Sequence, residues 1–364
     1  KTAVRLFFCI TGVLRMKTEW LYTPDEWLNV PEIVKRCEAH GITFIYIVGG
    51  RGTGKTYGVF DYVLTNNIGF TYLRRTQLAF DTILTDELNP FNQYNADHNI
   101  NIIMKKNTKV SAGIFYGVEQ DEVIKPSGKA IGVAGALTTF SKLRGLSGEW
   151  MKLFFYDEFI PERHEKKIKG EAAAFFNAYE TINRNREFKG QKPLLAIAAS
   201  NSEDIGCSLF LELGLIKHFM NMEKRGIEVK FMPERKICLI DLRYSEISRK
   251  KKEQALYIQT KGTRFYDMSI GNKFDYNTGS KIESHSLKGY NAIAAIGEIT
   301  IYANRKGDYY ISHHKSGNPE TFTTDDIGIA RFKSHYIHLW MDYMDNLITF
   351  EDEACEIAFQ KYFD

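Results

Sequence analysis

The stretch FIYIVGGRGTGKT, residues 44–56, decides the fold. Its first five residues are β-branched or aromatic, as in a strand buried on both faces. Its last eight fit G-x-x-x-x-G-K-[ST] at every fixed position: Gly49, Gly54, Lys55 and Thr56. Gly50, Arg51, Gly52 and Thr53 fill the interior of the loop. Glycines let the backbone turn so that its N–H groups point inward at phosphates. Lys55 is placed to reach the β- and γ-phosphates, and the Thr56 hydroxyl suits Mg²⁺. A helix expected from about Lys55 to Leu64 sets its N-terminal dipole at the anion. The run therefore predicts a site for a nucleoside triphosphate with Mg²⁺.

Such a site needs an acidic residue at the end of another buried strand. KLFFYDEF, residues 152–159, supplies Asp157 and Glu158 after four apolar residues. Asp157 is assigned to Mg²⁺, and Glu158 to polarising the attacking water. The glutamate favours a hydrolytic ATPase over a simple nucleotide kinase, with catalysis by positioning and charge stabilisation.

Outward from these two strands the chain alternates. FTYLRRT (70–76) and LLAIAASN (194–201) read as further strands. EAAAFFNAYETI (171–182) is helical, with Ala174, Phe175, Ala178, Tyr179 and Ile182 on one stripe. TPDEW (23–27) reads as a helix start, with Thr23 as cap and Glu26 closing a capping box. That helix resumes after Pro31 and stops at Gly41. Residues 95–140 read as short strands with turns at KPSGK and around Gly132 and Gly135. Buried strands alternating with helices predict an α/β domain with a mostly parallel sheet.

Other positions carry two readings each. In RNRE (184–187), Arg184 and Arg186 are either solvated cations suiting a helix C-terminus or an arginine finger for a neighbouring subunit's γ-phosphate. Ser200 and Asn201 either sense that phosphate or start a turn. KLRGLSG (142–148) sets Lys142 and Arg144 in a solvated loop or a phosphate- or DNA-facing one. Lys105, Lys106, Arg74, Arg75 and the basic run at 249–252 are candidates for DNA, or plain surface.

The bulk properties set limits. The 364 residues are 44% hydrophobic and 26% charged, enough apolar material for a sizeable core. A net charge of +3 demands no nucleic-acid partner globally and leaves room for a local basic groove. Cys9, Cys37, Cys207, Cys238 and Cys355 are scattered without a CxxC pair, so reduced thiols and no zinc site are expected. No apolar run reaches the roughly 20 residues of a membrane-spanning helix. Residues 1–15 are apolar with basic ends before Met16 and read as a leader or extra segment. The boundaries expected are 16–248 for the P-loop domain, 249–281 for a linker and 282–364 for a smaller domain.

Taken in order, FIYIVGGRGTGKT, FTYLRRT, KLRGLS, FFYDEFI, INRNRE and AIAASN resemble the genome-packaging ATPases of phi29-like tailed phages, small relatives of the large terminases. The likeness extends over nearly everything after Met16. It implies an ASCE/RecA-like P-loop ATPase in which Lys55 and Thr56 bind ATP with Mg²⁺, and a small C-terminal α+β domain similar to an RNase H-like nuclease. It implies a ring, a pentamer, at the portal vertex of a procapsid in the host cytoplasm, absent from the mature virion. The ring would translocate double-stranded viral DNA, with a packaging RNA bridging it to the prohead. By motif, Arg184 is the first choice for the finger, Arg186 the second, and Arg144 a second trans-acting basic residue. Large terminases cut DNA with carboxylates that hold two metals. Here Ala292 to Ile296 offers no acid, Glu298 follows only after Gly297, and Asp325 and Asp326 look like a helix cap. A vestigial domain used for nucleic-acid binding or docking is therefore expected. The alternatives are a terminase with an active nuclease and a P-loop adaptor that binds RNA without motor activity.

Overall fold

The computed structural model describes residues 6–7, 15–16, 18–143, 148–161, 165, 168–201, 205–243, 245–250, 253–263 and 281–363. The expected leader (1–15) and linker (249–281) lie largely outside them. The chain divides into two compact units, one built from 1–166, 173–203 and 222–273, the other from 167–172, 204–221 and 274–364. Strands β1 (Leu6–Phe7) and β2 (Arg15–Met16) pair with each other, and among the described residues with no other strand.

The first unit holds a nine-stranded sheet. Its strands are β3 (Phe44–Gly49), β4 (Gly69–Arg74), β5 (Ile102–Thr108), β6 (Ser111–Gln120), β7 (Val123–Ala136), β8 (Met151–Asp157), β9 (Leu195–Asn201), β10 (Val229–Met232) and β11 (Ile237–Asp241). They lie in the order β10-β11-β3-β9-β8-β4-β7-β6-β5. The six strands from β11 to β7 run parallel, and antiparallel strands flank them. Strand β9 separates the glycine-loop strand from the acidic strand, as expected of an ASCE-type P-loop sheet.

The helices of this unit include α1 (Val30–Ala39), α2 (Lys55–Thr65), α3 (Gln77–Thr82), α4 (Asn92–His98) and α5 (Glu171–Asn183). Side chains alternate across a strand, and β8 uses both of its faces. Phe155 points at Phe60 of α2, with ring centroids 5.9 Å apart. Phe154 and Tyr156 point the other way, each 5.6 Å from Phe175 of α5. A strand covered on both sides has no solvent face, which is why 153–157 reads as an unbroken apolar run into the acid.

Two local expectations fail. TPDEW is a turn, not a helix start: Trp27 N donates to Thr23 Oγ1 (3.1 Å), and Glu26 sits at φ +70°. Asn29 caps α1 instead, accepting from Glu32 N, and Pro31 lies in its first turn. β7 continues through KPSGK, Gly132 and Gly135, with its register against β6 broken between Ser127 and Gly132 where Gly128 has φ +71°, and the hairpin turn falls at Asp121–Glu122, both with positive φ. Gly132 is there for space: an added Cβ would lie 3.0 Å from both Ile114 Cδ1 and Phe70 Cε1. Glycine in a strand marks close approach as readily as a turn.

Helices α6 (Ser208–Glu212) and α7 (Ile216–Arg225) follow β9, and α8 (Glu246–Lys250) and α9 (Ala255–Gln259) follow β11. The second unit contains β12 (Lys281–Ile282), β13 (Tyr290–Ile296), β14 (Ile299–Asn304), β15 (Tyr309–Ser312), β16 (Glu320–Phe322) and β17 (Ile348–Phe350). Their order is β12-β17-β15-β14-β13-β16. Helices α10 (Asp326–Met344) and α11 (Glu353–Phe363) pack on it through Phe332, Leu339, Tyr343 and Phe359. Asp325 caps α10, accepting from Gly328 N at 2.7 Å. Among the described residues, no helix is long and apolar enough to cross a membrane.

Candidate nucleotide-binding and hydrolysis site

The loop after β3 turns on glycines where only glycine fits without strain. Gly52 has φ +63° and Gly54, the residue capping α2, has φ +83°. A Cβ at Gly49 would lie 2.5 Å from Leu242 Cβ, so that position is fixed by packing. Thr53 Oγ1 donates to Gly50 O (3.1 Å) and braces the loop from within. Arg51 is exposed on its outer rim.

Lys55 is buried under this loop. Its Nζ donates to Gly49 O (3.0 Å), Gly50 O (2.8 Å) and Asn201 Oδ1 (3.3 Å). The ammonium thus waits among carbonyls that a phosphate oxygen can replace. The β3–β9 register pairs Gly49 with Asn201, which puts the asparagine at the mouth of the loop. Ser200 faces away: its hydroxyl accepts from Ile160 N (3.1 Å) and is 2% exposed. Of the two candidates, Asn201 meets the phosphate loop and Ser200 anchors the segment after β8.

Asp157, 4% exposed, ends β8 opposite Thr56. Thr56 Oγ1 lies 3.1 and 3.2 Å from its two carboxylate oxygens. A hydroxyl and a carboxylate at the carboxyl ends of parallel strands are hard oxygen donors, and they fit Mg²⁺. Burial raises the Asp157 carboxyl above the usual range, while Arg74, Thr56 and Tyr72 pull it back down. A bound cation would favour the ionised form in the same way.

Two residues beside Asp157 were not read as part of this site. Tyr72 OH donates to Asp157 Oδ2 (3.1 Å), and burial pushes that phenol well up. Arg74 Nη1 lies 3.5 Å from the same oxygen, and its Nη2 is paired with Glu158. Burial works against the Arg74 charge, but Tyr72, Asp157 and Glu158 outweigh it and hold the guanidinium protonated. The β4–β8 register, Tyr72 with Phe155 and Leu73 with Tyr156, brings the end of β4 to the acidic pair. The only signal in sequence is the pair of arginines closing FTYLRRT. Its neighbour Arg75 is 3% exposed and bonds Glu165 (3.2 Å), so neither arginine offers an open surface to DNA. Lys106 is paired with Asp81 at 2.8 Å on the surface.

Glu158 follows β8 at φ +57°, a left-handed conformation costly for a residue with a Cβ. Its amide donates to Ala199 O of β9 (2.8 Å), which fixes the turn and directs the side chain out of the sheet's end. The side chain is half exposed.

The arginines of RNRE lie elsewhere. Arg186 is buried, and its Nη2 donates to Gly148 O (2.7 Å) and Met151 O (2.6 Å) at the start of β8. Burial pulls its pKa down. Arg184 is exposed, with φ +42°, and its Nε donates to Thr181 O. Asp157 ends the seven-residue strand at whose start Arg186 docks. At about 3.3 Å per residue, roughly 20 Å separates RNRE from its own chain's acidic pair. Arg144 lies outside the described residues.

No protein-family model matches the sequence, and no curated protein matches it. Solved structures do. The Phi-28 gp11 DNA packaging motor aligns over 90% of this chain and 95% of its own, with a TM-score of 0.57 and 18% identity. The bacteriophage Phi-29 viral genome packaging motor assembly aligns over 94% of this chain and 98% of its own, with a TM-score of 0.57 and 16% identity. Over nine-tenths of its length the chain has the fold of phage DNA-packaging motor proteins, with a P-loop sheet at its centre.

Proposed function

We propose that the chain is the ATPase subunit of a ring, a pentamer, that drives double-stranded viral DNA into a procapsid. The observation that carries this reading is the convergence of Lys55, Thr56, Asp157 and Glu158 at one end of the sheet, in a chain with the packaging-motor fold.

ATP is the substrate. Its phosphates take the loop amides of 50–56, and Lys55 transfers from the Gly49 and Gly50 carbonyls to phosphate oxygens. Thr56 and Asp157 would hold Mg²⁺, which supplies charge neutralisation at the β- and γ-phosphates. Glu158 orients a water and accepts its proton as the water oxygen attacks the γ-phosphorus and the bond to the bridging oxygen breaks. To do so it leaves Arg74, so the arrangement described is a resting one. Asn201, bonded to the Lys55 ammonium, is placed to register whether a γ-phosphate is present. Arg184 is exposed and some 20 Å from its own site by the strand-length argument, so as a finger it acts on a neighbour's γ-phosphate. Arg186 is spent on bracing β8 in its own chain.

The motor must step over any sequence. Its DNA contacts are therefore with phosphates, and binding weakens steeply with salt. A packaging RNA and the portal are the partners at the prohead, and the chain acts there from the host cytoplasm. The 282–364 region serves as a docking or nucleic-acid-binding domain without nuclease activity. Its strand β13 carries no acid, and Asp325 is spent capping α10.

The deciding experiment is ATP turnover with and without double-stranded DNA, in the native chain and in Glu158→Gln. We expect DNA-stimulated hydrolysis that falls by about 10²–10⁴-fold in the variant while nucleotide binding persists. Turnover indifferent to both DNA and Glu158 would remove the motor reading.

A further inference from the structure

The second unit holds a cluster that the nucleotide site does not use. His313 follows β15, and Asp352 and Cys355 stand at the start of α11. One ligand atom from each lies within 4.8 Å of the others. No local pattern joins them: 39 positions separate His313 from Asp352, and no CxxC or His-x-His spacing is present. The absence of a CxxC pair underlay the expectation of no zinc site.

The geometry around His313 is specific. Its Nδ1 lies 3.1 Å from Glu298 O, an acceptor only, so that nitrogen carries a hydrogen. Nε2 then turns its other side to Asp352 Oδ1 at 3.2 Å. Glu298 Oε2 also lies 4.0 Å from Nδ1, so the ring stands between two carboxylates, and the Nε2 edge, the Asp352 carboxylate and the Cys355 sulfur converge on one point. An imidazole that gives its far N–H to a backbone carbonyl is oriented as metal-bound histidines are. Glu351 Oε2 accepts from the His313 amide (2.9 Å) and from Ser312 Oγ (2.8 Å), which holds the residue's backbone in place.

Asp352 is fixed as firmly. It caps α11 by accepting from Cys355 N at 3.0 Å through Oδ1, while Oδ2 faces Lys217 Nζ at 3.8 Å. The same cap brings the Cys355 sulfur, three residues on, to the side of the helix where the carboxylate sits. With metal–ligand bonds of about 2.0–2.2 Å, neighbouring N and O donors of a tetrahedral site stand roughly 3.4 Å apart. The observed His313–Asp352 separation is already near that value. The His313 side chain is 9% exposed and that of Asp352 26%, so water can reach a fourth position.

We propose that His313, Asp352 and Cys355 bind one divalent cation of the Zn²⁺ class, which ties the end of β15 to the start of α11. An imidazole, a carboxylate and a thiolate form a donor set for a borderline-soft ion rather than for Mg²⁺. The ion would clip together a segment of some forty residues within the second unit, a structural role distinct from the Mg²⁺ of the nucleotide site.

Co²⁺ tests this on the full chain, stripped of metal with a chelator. One equivalent should give a thiolate-to-cobalt charge-transfer band with the visible bands of a tetrahedral ion, and Zn²⁺ should displace it. Cys355→Ser should abolish the charge-transfer band. His313→Gln, at a less buried position, should weaken Co²⁺ binding at least tenfold with far-ultraviolet circular dichroism unchanged. Asp157→Asn, in the other unit, should leave the spectrum as it is. Absence of the charge-transfer band at excess Co²⁺ would overturn the proposal and leave His313 and Asp352 a protonated hydrogen-bonded pair. Equal affinity in His313→Gln and the native chain would overturn it too.

Discussion

At the scale of single residues, Arg74 carries more than its sequence position suggests. It is the positive charge against which the buried Asp157 is balanced, and it holds Glu158 as well. Arg74→Met should remove the main counter-charge of Asp157 in the apo protein and cost about 3 kcal/mol, read from urea unfolding. The double variant Arg74→Met/Asp157→Asn should lose clearly less than the sum of the two single losses. Strictly additive losses would show that the pair is not coupled. The phosphate-loop residues and the acidic pair were legible in sequence because their chemistry demands fixed types at fixed spacing. Tyr72 and Arg74 were not, because their role depends on β4 lying beside β8. Strand neighbourhood is set by the whole sheet and leaves no local mark. The same limit hid the difference between Ser200 and Asn201, adjacent residues whose side chains alternate to opposite faces of β9.

At the scale of elements, the strands and helices around the site could be read because each carries its own periodicity. β3, β8 and β9 are continuous apolar runs, and α5 shows one clean stripe. The β6–β7 ribbon could not, since Pro126, Gly132 and Gly135 imitate turn signals while serving a strand, and Gly128 marks a break in its register and no chain reversal. Gly132 tests that account. Gly132→Val places methyls against Ile114 and Phe70, and overpacking of this kind costs about 1–3 kcal/mol. The urea midpoint should fall with an unchanged slope. An unchanged midpoint would show that close approach is not what keeps Gly132 a glycine. TPDEW misled in the opposite way: a sound capping-box pattern lost to Asn29 and Pro31, which cap and start α1 six residues later.

At the scale of the whole molecule, the placement of RNRE becomes a statement about assembly. Arg184 and the acidic pair belong to opposite ends of the parallel sheet, so in the proposed ring Arg184 as a finger would serve a neighbour's site. Rings mixing Arg184→Ala with Lys55→Ala copies should regain hydrolysis that neither variant shows alone, since some interfaces then join an intact loop to an intact finger. No recovery at any ratio, with assembly shown independently, would remove Arg184 from the trans role. The different burial of the two arginines could not be read from sequence. In the structure Arg186 donates to the carbonyls of Gly148 and Met151, while Arg184 lies at the surface.

The flanks of the large sheet have a mechanical consequence. One outer strand, β10, is only four residues long. The other, β5, shows Lys105 and Lys106 to solvent. Short or lysine-bearing outer strands resist the addition of another strand. Neighbouring copies would then meet through loops and strand termini, not by extending the hydrogen-bond ladder. Contacts of that kind can slide or hinge repeatedly while each sheet stays intact, so fatigue in such a machine would fall on the joints and spare the frame.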